Sequence, residues 1–306
     1  MTPLQGNFIS LVIVGSIQVY VNYSRQLEKS MNVAYTKMHG TGNQILVVDQ
    51  RTSNARPPTP DQLRKLGDDD TGPGFDQLMW IGPTDDPSCV AAYRVFNADG
   101  SEVEQCGNGV RCVAALLASE AGQEQAFTLA SPAGPVEARV DDDGLVSVSM
   151  GRPDFEPDTI PFIAERQEDR YELEVDGVAY DVSAVSMGNP HCVLQVDDVA
   201  TAPVAELGPK IENHERFPEK ANVGFVRITG RDSIDLRVFE RGVGETQACG
   251  TGACAAVVTG QKLGLLDTDV NVRLPGGQVV VSWRGGAEPV WLTGNAEYIA
   301  EGFIDL

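Results

Sequence analysis

Basic charge and cysteine are both scarce in this chain of 306 residues. Lys and Arg number 23 against 44 Asp and Glu, which gives a formal net charge of −21. Nucleic-acid and anionic-membrane surfaces need clustered Lys and Arg, so this composition argues against both and favours a small-molecule partner. Six cysteines are too few for a disulfide scaffold in so long a chain. They indicate reduced thiols and a cytoplasmic protein.

A long hydrophobic run is also missing. The most apolar stretch, 8–21, is interrupted by polar residues and is too short to span a bilayer. No Lys or Arg precedes it, so the charged start of a secretory signal is absent. A regular strand pattern begins only at 33–35. We therefore expect residues 1–32 to be a dispensable extension.

What the chain does contain is an internal copy of the pattern Glu-x-x-x-Cys-Gly-x-Gly. It occurs at 102–109 and, 143 residues later, at 245–252. An apolar run follows each copy and predicts a buried helix that begins just after Cys106 or Cys249. A helix start offers unpaired N–H groups and about half a positive charge, which lowers a thiol pKa and binds an anion. Two such thiols suggest an acid and a base on opposite faces of one carbon.

Strand patterns dominate the rest of the chain, and helical patterns are few. The helical ones are 61–65, the two segments after the cysteines and a short turn near 199–207. Three prolines in 151–161 exclude helix and ladder pairing, so the two halves are expected to divide there. The prediction is an α/β (α+β) fold of two pseudo-symmetric lobes. Each lobe wraps a mainly antiparallel sheet around one helix, and the ligand lies in the cleft between the lobes. The predicted strands are 45–48, 91–96, 127–130, 136–140, 145–150, 191–196, 223–228, 236–239 and 279–283.

Removal of the α-proton of an amino acid without a cofactor requires a site that stabilises the carbanion electrostatically. The backbone amides of Gly107 and Asn108, with those of Gly250 and Thr251, would bind the α-carboxylate from two opposed helix starts. A thiol is a suitable base because its pKa of about 8.5 needs only a small downward shift. Inversion of configuration requires one thiolate and one thiol together.

Both cysteine segments closely resemble the two signatures of diaminopimelate epimerase. The similarity runs from about Tyr35 to the end of the chain. One departure follows Asn43: the family usually has Asp-Phe there, and this chain has Gln44-Ile45. Because Asn43 is kept, the departure concerns packing more than chemistry. The matching segments are 97–112 and 240–254, together with 37–43, 74–77 and 187–192.

The resemblance implies an epimerase without PLP, other cofactor or metal that interconverts LL- and meso-2,6-diaminoheptanedioate in lysine biosynthesis. It makes Cys106 and Cys249 the acid–base pair and gives His191 a supporting role. Arg241 suits the distal carboxylate of the substrate by bidentate pairing. The substrate-binding residues that it implies are Asn43, Gln77, Asn97, Gly107, Asn108, Asn189, Asn222, Glu240, Arg241, Gly250 and Thr251.

The resemblance also implies a homodimer and a last strand that returns to the first lobe. The N-terminal lobe, with Cys106, is then 33–150 plus 295–306. The C-terminal lobe, with Cys249, is 151–294.

Two other functions are considered. A related racemase would act on proline or hydroxyproline, but these substrates lack a second α-amino-acid centre for Glu240 and Arg241 to bind. A zinc or thiol-redox protein would use the four cysteines of the two segments. Their intervals contain five and four residues, whereas such sites favour Cys-x-x-Cys. Cys112 and Cys254 lie one turn or more into the predicted helices, on a face shared with Ala and Val, so they are expected to be small core residues.

Overall fold

The computed structural model describes residues 10–14, 17–21, 32–53, 55–103, 106–121 and 125–306. The helices within them are α1 (Pro60–Gly67), α2 (Gly107–Ala121), α3 (Val204–Glu212) and α4 (Gly250–Lys262). The strands are β1 (Ser10–Val14), β2 (Ile17–Val21), β3 (Asn32–Gly40), β4 (Asn43–Asp49), β5 (Gln77–Gly82), β6 (Ala91–Asn97), β7 (Glu102–Val103), β8 (Gln125–Ser131), β9 (Gly134–Val140), β10 (Val146–Ser149), β11 (Tyr171–Val175), β12 (Val178–Ser186), β13 (Pro190–Gln195), β14 (Asn222–Gly230), β15 (Ser233–Glu240), β16 (Gly244–Thr246), β17 (Asp269–Leu274), β18 (Gly277–Ser282), β19 (Trp291–Gly294) and β20 (Glu297–Asp305).

Two sets of eight strands pair in the same order. Lobe 1 is β20-β3-β4-β5-β6-β8-β9-β10 with α1 and α2. Lobe 2 is β11-β12-β13-β14-β15-β17-β18-β19 with α3 and α4. In each set the third and fifth pairings are parallel and the other five are antiparallel. An antiparallel pairing of β10 with β19 joins the lobes. The predicted duplicated, mainly antiparallel fold is confirmed.

Each lobe has one helix at its centre. α2 packs against β3, β4, β5, β9 and β10, and α4 packs against β12 to β15 and against β18 and β19. The central part of each helix is almost entirely apolar, and residues 252–260 of α4 are all buried. A helix that is apolar all round must be covered on all sides, and this requirement explains why the sheets wrap around α2 and α4.

The helices start by different means. α1 has a capping box, because the Thr59 side chain accepts from Gln62 N–H and the Gln62 side chain returns to the backbone of Thr59. At α4 the N-cap residue is Cys249, whose side chain makes no cap hydrogen bond. The first N–H groups of α4 are therefore left for other partners.

Several details differ from the sequence predictions. The turn expected near 199–207 is α3, which begins later because Pro203 is its N-cap, and which continues to Glu212. The strands that were not predicted are β1, β2, β5, β7, β11, β12, β16, β17 and β19. Residues 151–161 contain no helix or strand, as expected, although Asp154 forms a single bridge with Ser186.

The strands at the two ends of the chain pair differently: the last strand pairs with lobe 1, and the first two pair with each other. β20 pairs along β3 from Glu297 to Asp305, and the domain boundaries at 150 and 295 stay predictions. Of the predicted extension 1–32, the structure describes β1, β2 and Asn32. In the described part of the chain β1 pairs with β2 and with no strand of either lobe. The rest of the extension lies outside the described residues.

Candidate active site

The two central helices begin directly after the repeated cysteines, at Gly107 and Gly250. Their starts meet between the lobes, because a Cβ added to Gly250 would lie 3.8 Å from the Cα of Gly107. A Cβ at either glycine would also lie 3.0 Å from the same methyl carbon of Leu292. Glycine therefore lets two positive helix ends approach each other closely. Cys106 and Cys249 flank this junction, one from each lobe.

Each thiol contacts the first turn of its own helix. The N–H of Gly109 donates to Sγ of Cys106 at 3.3 Å. Sγ of Cys249 lies 3.6 Å from Oγ1 of Thr251. Cys249 is buried and Cys106 is partly exposed.

The prediction that the helix starts lower the thiol pKa values is wrong for the free protein. Burial raises the pKa of Cys106 to about 11. Burial, followed by the charge of Glu240, raises the pKa of Cys249 well above its ordinary value. N–H groups of Gly109 and Gly252 act in the expected direction, but desolvation of the thiolates is the larger effect.

Glu240, the last residue of β15, is the carboxylate whose charge affects the pKa values of both thiols. Its side chain accepts a short hydrogen bond from Thr246, and its charge raises the pKa of Cys249. Its charge raises the pKa of Cys106 as well. One carboxylate therefore acts on both thiols, as a site shared by the two lobes requires. Burial raises the pKa of Glu240 itself.

Three predicted binding residues of lobe 1 form a chain of side-chain amides. Nδ2 of Asn43 donates to Oε1 of Gln77 at 3.4 Å, and Nε2 of Gln77 donates to Oδ1 of Asn97 at 3.0 Å. The chain ends where Asn97 donates to Oγ of Ser101. Because an amide both donates and accepts, such a chain holds each group in one orientation.

The corresponding region of lobe 2 is linked through Thr251 to the thiol of Cys249. Nδ2 of Asn189 donates to Oγ1 of Thr251 at 3.4 Å, and Thr251 contacts Cys249. Nε2 of His191 lies 3.0 Å from Oδ1 of Asn189. Burial, with a contribution from Arg241, lowers the pKa of His191 to about 3. His191 is therefore neutral at neutral pH and orients Asn189.

Arg241 lies at the outer end of this set. Its backbone N–H donates to Oδ1 of Asn222 at 3.0 Å, and Nη1 donates to the carbonyl of Glu219 at 3.0 Å. Nδ2 of Asn222 donates to the carbonyl of Pro190 at 3.1 Å. Asn222 thereby fixes the backbone on which the Arg241 guanidinium is carried.

The predicted residues occupy equivalent places in the two lobes. The parallel pairing of β4 with β5 matches Ile45 to Gln77, and that of β13 with β14 matches His191 to Asn222. His191 thus takes in lobe 2 the place of Ile45 in lobe 1. The equivalent pairs are Asn43 with Asn189, Gln77 with Asn222, Asn97 with Glu240, and Cys106 with Cys249.

The repeated glutamates have a role that sequence reasoning missed. The carboxylate of Glu102 accepts hydrogen bonds from Nε and Nη2 of Arg94, each at 2.7 Å. The carboxylate of Glu245 accepts hydrogen bonds from Nε and Nη2 of Arg237, at 2.6 and 2.8 Å. These bidentate pairs brace β7 and β16, the strands that lead to the two cysteines. The signal was available, since an arginine stands eight residues before each repeated glutamate.

The remaining cysteine predictions concern the core and metals. All six cysteines are free, and Cys112 and Cys254 are fully buried, as expected of core residues. Among the described residues no group of three or more His, Cys, Asp or Glu side chains is arranged to hold a metal ion. No helix in the described ranges is long and apolar enough to cross a membrane.

The fold is shared with solved isomerases. A hydroxyproline epimerase from Agrobacterium vitis matches with a TM-score of 0.67 at 16% identity, over 90% of this chain and 93% of that one. A probable proline racemase from Agrobacterium radiobacter matches with a TM-score of 0.64 at 15% identity, over 88% of this chain and 92% of that one. A methylitaconate-delta-isomerase matches with a TM-score of 0.62 at 15% identity, over 91% of this chain and 96% of that one. At these identities the likeness shows the fold alone.

Two copies of one fold, each with a central helix that begins directly after a cysteine, make up the two-lobed fold that this chain shares with those solved proteins. The sequence is more specific. The family model for diaminopimelate epimerase matches residues 35–156 and 183–299. The chain belongs to the diaminopimelate epimerase family.

Proposed function

We propose that this protein is a cofactor-independent epimerase that interconverts LL- and meso-2,6-diaminoheptanedioate in lysine biosynthesis. One observation carries the proposal. The adjacent residues Glu240 and Arg241 carry a carboxylate, whose charge raises the pKa of both thiols, and a guanidinium at the outer end of the set, where lobe 1 has the uncharged Asn97 and Ala98. A substrate with a second amino-acid centre offers an ammonium and a carboxylate that complement this pair.

The reaction is a proton transfer across one carbon. The thiolate of one cysteine takes the α-proton from one face, and the thiol of the other gives a proton to the opposite face. Negative charge that builds on the α-carboxylate meets the backbone N–H groups of Gly107, Asn108, Gly250 and Thr251 at the two helix starts. After one turnover the two cysteines have exchanged protonation states.

The raised thiol pKa values give the substrate a part in activation. In the free protein burial opposes formation of a thiolate at Cys106 and at Cys249. A bound α-ammonium group brings positive charge to the site and favours the thiolate. Proton transfer is therefore coupled to binding of a substrate that carries this group.

The test is α-proton exchange in deuterated water, without added PLP, on LL-diaminopimelate and on proline side by side. We expect deuterium at the α-carbon of diaminopimelate together with formation of the meso isomer. The matched control is Cys106→Ala, which should reduce formation of the meso isomer by at least about 10³, because inversion needs both thiols. Exchange into proline with none into diaminopimelate would overturn the proposal.

A racemase of proline or hydroxyproline is the second candidate, because solved proteins with those names share the fold. The same experiment separates the two. Under that function, neutralisation of Arg241 would leave turnover nearly unchanged, since neither substrate carries a second amino-acid centre for the guanidinium to bind.

A further inference from the structure

A buried glutamate outside the catalytic set lies beside the loop that carries Arg241. Glu212 is the last residue of α3, and only 6% of its surface is exposed. In the described part of the chain no basic side chain forms an ion pair with it, and Lys210 of the same helix pairs with Asp176 and Glu206 instead. A buried carboxylate needs hydrogen-bond donors, because burial without them is strongly unfavourable.

The nearest donor to this carboxylate belongs to the loop after β15. The backbone N–H of Gly242 donates to Oε1 of Glu212 at 2.7 Å, and Nδ2 of Asn213 donates to Oε2 at 3.4 Å. Gly242 directly follows Arg241 and has a φ of +75°. A hydrogen bond to an ionised acceptor is about twice as strong as one between neutral groups. Glu212 therefore holds the backbone immediately after the residue that carries the guanidinium.

Two side-chain acceptors hold consecutive N–H groups of this loop. The N–H of Arg241 donates to Oδ1 of Asn222 at 3.0 Å, and the next N–H along the chain donates to Glu212. The backbone carbonyl of Glu212 also accepts from the N–H of Ala221 at 3.3 Å, directly before Asn222. Glu212 thus contacts both the loop of Arg241 and the segment that supplies the other acceptor.

The helix that carries Glu212 packs closely against β15. A Cβ on Gly208 of α3 would lie 2.6 Å from Cγ of Phe239, so glycine is what allows this approach. Phe239 is the last residue of β15 but one, and it also packs against the buried cluster that contains Leu207 and Ile211 of α3. The carboxylate is therefore carried by a well-packed helix, as accurate positioning requires.

The two lobes differ in this respect. In the corresponding loop of lobe 1 the uncharged Ala98 stands where lobe 2 has Arg241. The N–H of Ala98 donates to the carbonyl of Asp76 at 3.1 Å, and the N–H of Gly100 donates to the carbonyl of Asn97 at 3.0 Å. Both of these acceptors are backbone carbonyls. The buried carboxylate is thus found in the lobe whose loop carries the guanidinium.

The guanidinium of Arg241 keeps donors for a ligand. Nη1 donates to the carbonyl of Glu219 at 3.0 Å, and among the described residues no acceptor is bonded to Nε or Nη2. These two nitrogens form the fork that matches a carboxylate. The same two nitrogens bind Glu102 and Glu245 in the bidentate pairs described above.

We propose that Glu212 is a positioning residue that holds the Arg241 loop and thereby sets the preference for a substrate with a distal carboxylate. The inference rests on the proposed function, in which Arg241 binds that carboxylate. Bidentate pairing depends on the direction of the fork, so a displaced backbone loses one or both hydrogen bonds. Glu212 acts through this backbone and does not touch the substrate.

The first test measures order in the loop of the free full-length protein, without substrate. Amide hydrogen exchange across 240–244 is compared for the wild-type protein, Glu212→Met and Glu212→Gln. Methionine fills the space but offers no oxygen, so exchange should rise by at least about tenfold, whereas glutamine keeps an acceptor and should stay within about threefold. Glu212→Ala replaces the methionine variant if that variant does not fold. Glu206→Met is the matched control, because it changes an exposed glutamate of the same helix.

The second test separates positioning from a structural role by steady-state kinetics on LL-diaminopimelate. Glu212→Met should raise KM by at least about tenfold and change kcat by less than about threefold, since the reacting centre is untouched. Glu212→Gln should stay close to the wild-type KM. In an Arg241→Met background the change Glu212→Met should add almost nothing to KM, because Glu212 acts through Arg241. A merely structural role would lower kcat and Tm in both backgrounds.

Two results would overturn the proposal. One is exchange of the 240–244 loop at the wild-type rate in a folded Glu212→Met variant. The other is a rise in KM in the Arg241→Met background as large as the rise without that change. A wild-type protein that does not turn over diaminopimelate would instead contradict the proposed function, and the exchange test would still decide whether Glu212 holds the loop.

Discussion

Asn97 and Glu240 occupy equivalent positions at the ends of β6 and β15, and they differ by one full charge. In lobe 1 the amide belongs to a chain of neutral side chains, while in lobe 2 the charge of the carboxylate raises the pKa of Cys249. The duplication thus supplies a symmetric pair of thiols within an asymmetric set of binding groups. A substrate with one reacting centre and one distal centre matches such an arrangement.

Glu240→Gln should raise thermal stability at neutral pH and lower activity. Burial raises the pKa of Glu240 above its ordinary value of 4.5, so the native state holds this proton more tightly than the unfolded chain does. The ionised carboxylate therefore costs stability as pH rises above that value. The gain in Tm should shrink as pH falls toward 4.5. An equal gain at every pH, or none, contradicts this assignment.

Cys106→Ala and Cys249→Ala should each reduce epimerisation by at least about 10³, because either loss removes one proton-transfer role from an obligatory pair. The double variant should be little worse than either single one. Steady-state turnover of both stereoisomers is the measurement, with Cys112→Ala as a control for a buried thiol outside the site. A single variant that keeps a tenth of the wild-type rate refutes the two-thiol mechanism.

Arg241→Lys should raise KM more than it lowers kcat. Lysine keeps the charge but loses the planar fork that matches a carboxylate. The backbone hydrogen bond from residue 241 to Asn222 is retained in this variant, so the loop should keep its place. A collapse of kcat at unchanged KM would assign Arg241 to the reacting centre instead.

Removal of residues 1–30 should leave activity and Tm nearly unchanged. The family match begins at residue 35, and in the described part of the chain β1 and β2 pair only with each other. Turnover and thermal denaturation of the shortened protein are compared with those of the full chain. An insoluble or inactive product would show that the extension is needed.

Oxidation should inactivate the protein by a bond between Cys106 and Cys249. Each sulfur must come to about 3–3.5 Å from the substrate carbon, so the two lie roughly 6–7 Å apart around it. Without substrate a modest shift brings them to the S–S length of about 2.05 Å. Peptide mapping should find the cross-link, and dithiothreitol should restore activity. Inactivation with both thiols still free argues against this route.

The sequence by itself determined the duplication, the helix starts and the family. The repeated Cys-Gly-x-Gly is a local signal, because a turn followed by an apolar run specifies a helix whatever surrounds it. It therefore located α2 and α4 correctly. The residues of the candidate site stay a prediction that rests on the motif and on the family resemblance. Strands with alternating patterns, such as β9, were also predictable.

Only the tertiary structure decided what depends on distant neighbours. β5 and β19 carry little alternation, and they are strands because the adjoining strands pair with them. The thiol pKa values rise where the helix ends alone would lower them, because burial is a property of the folded lobes. Glu212 reads as an ordinary helical glutamate in the sequence. It becomes a buried acceptor only when the loop after β15 packs over the end of α3, since desolvation depends on the whole fold.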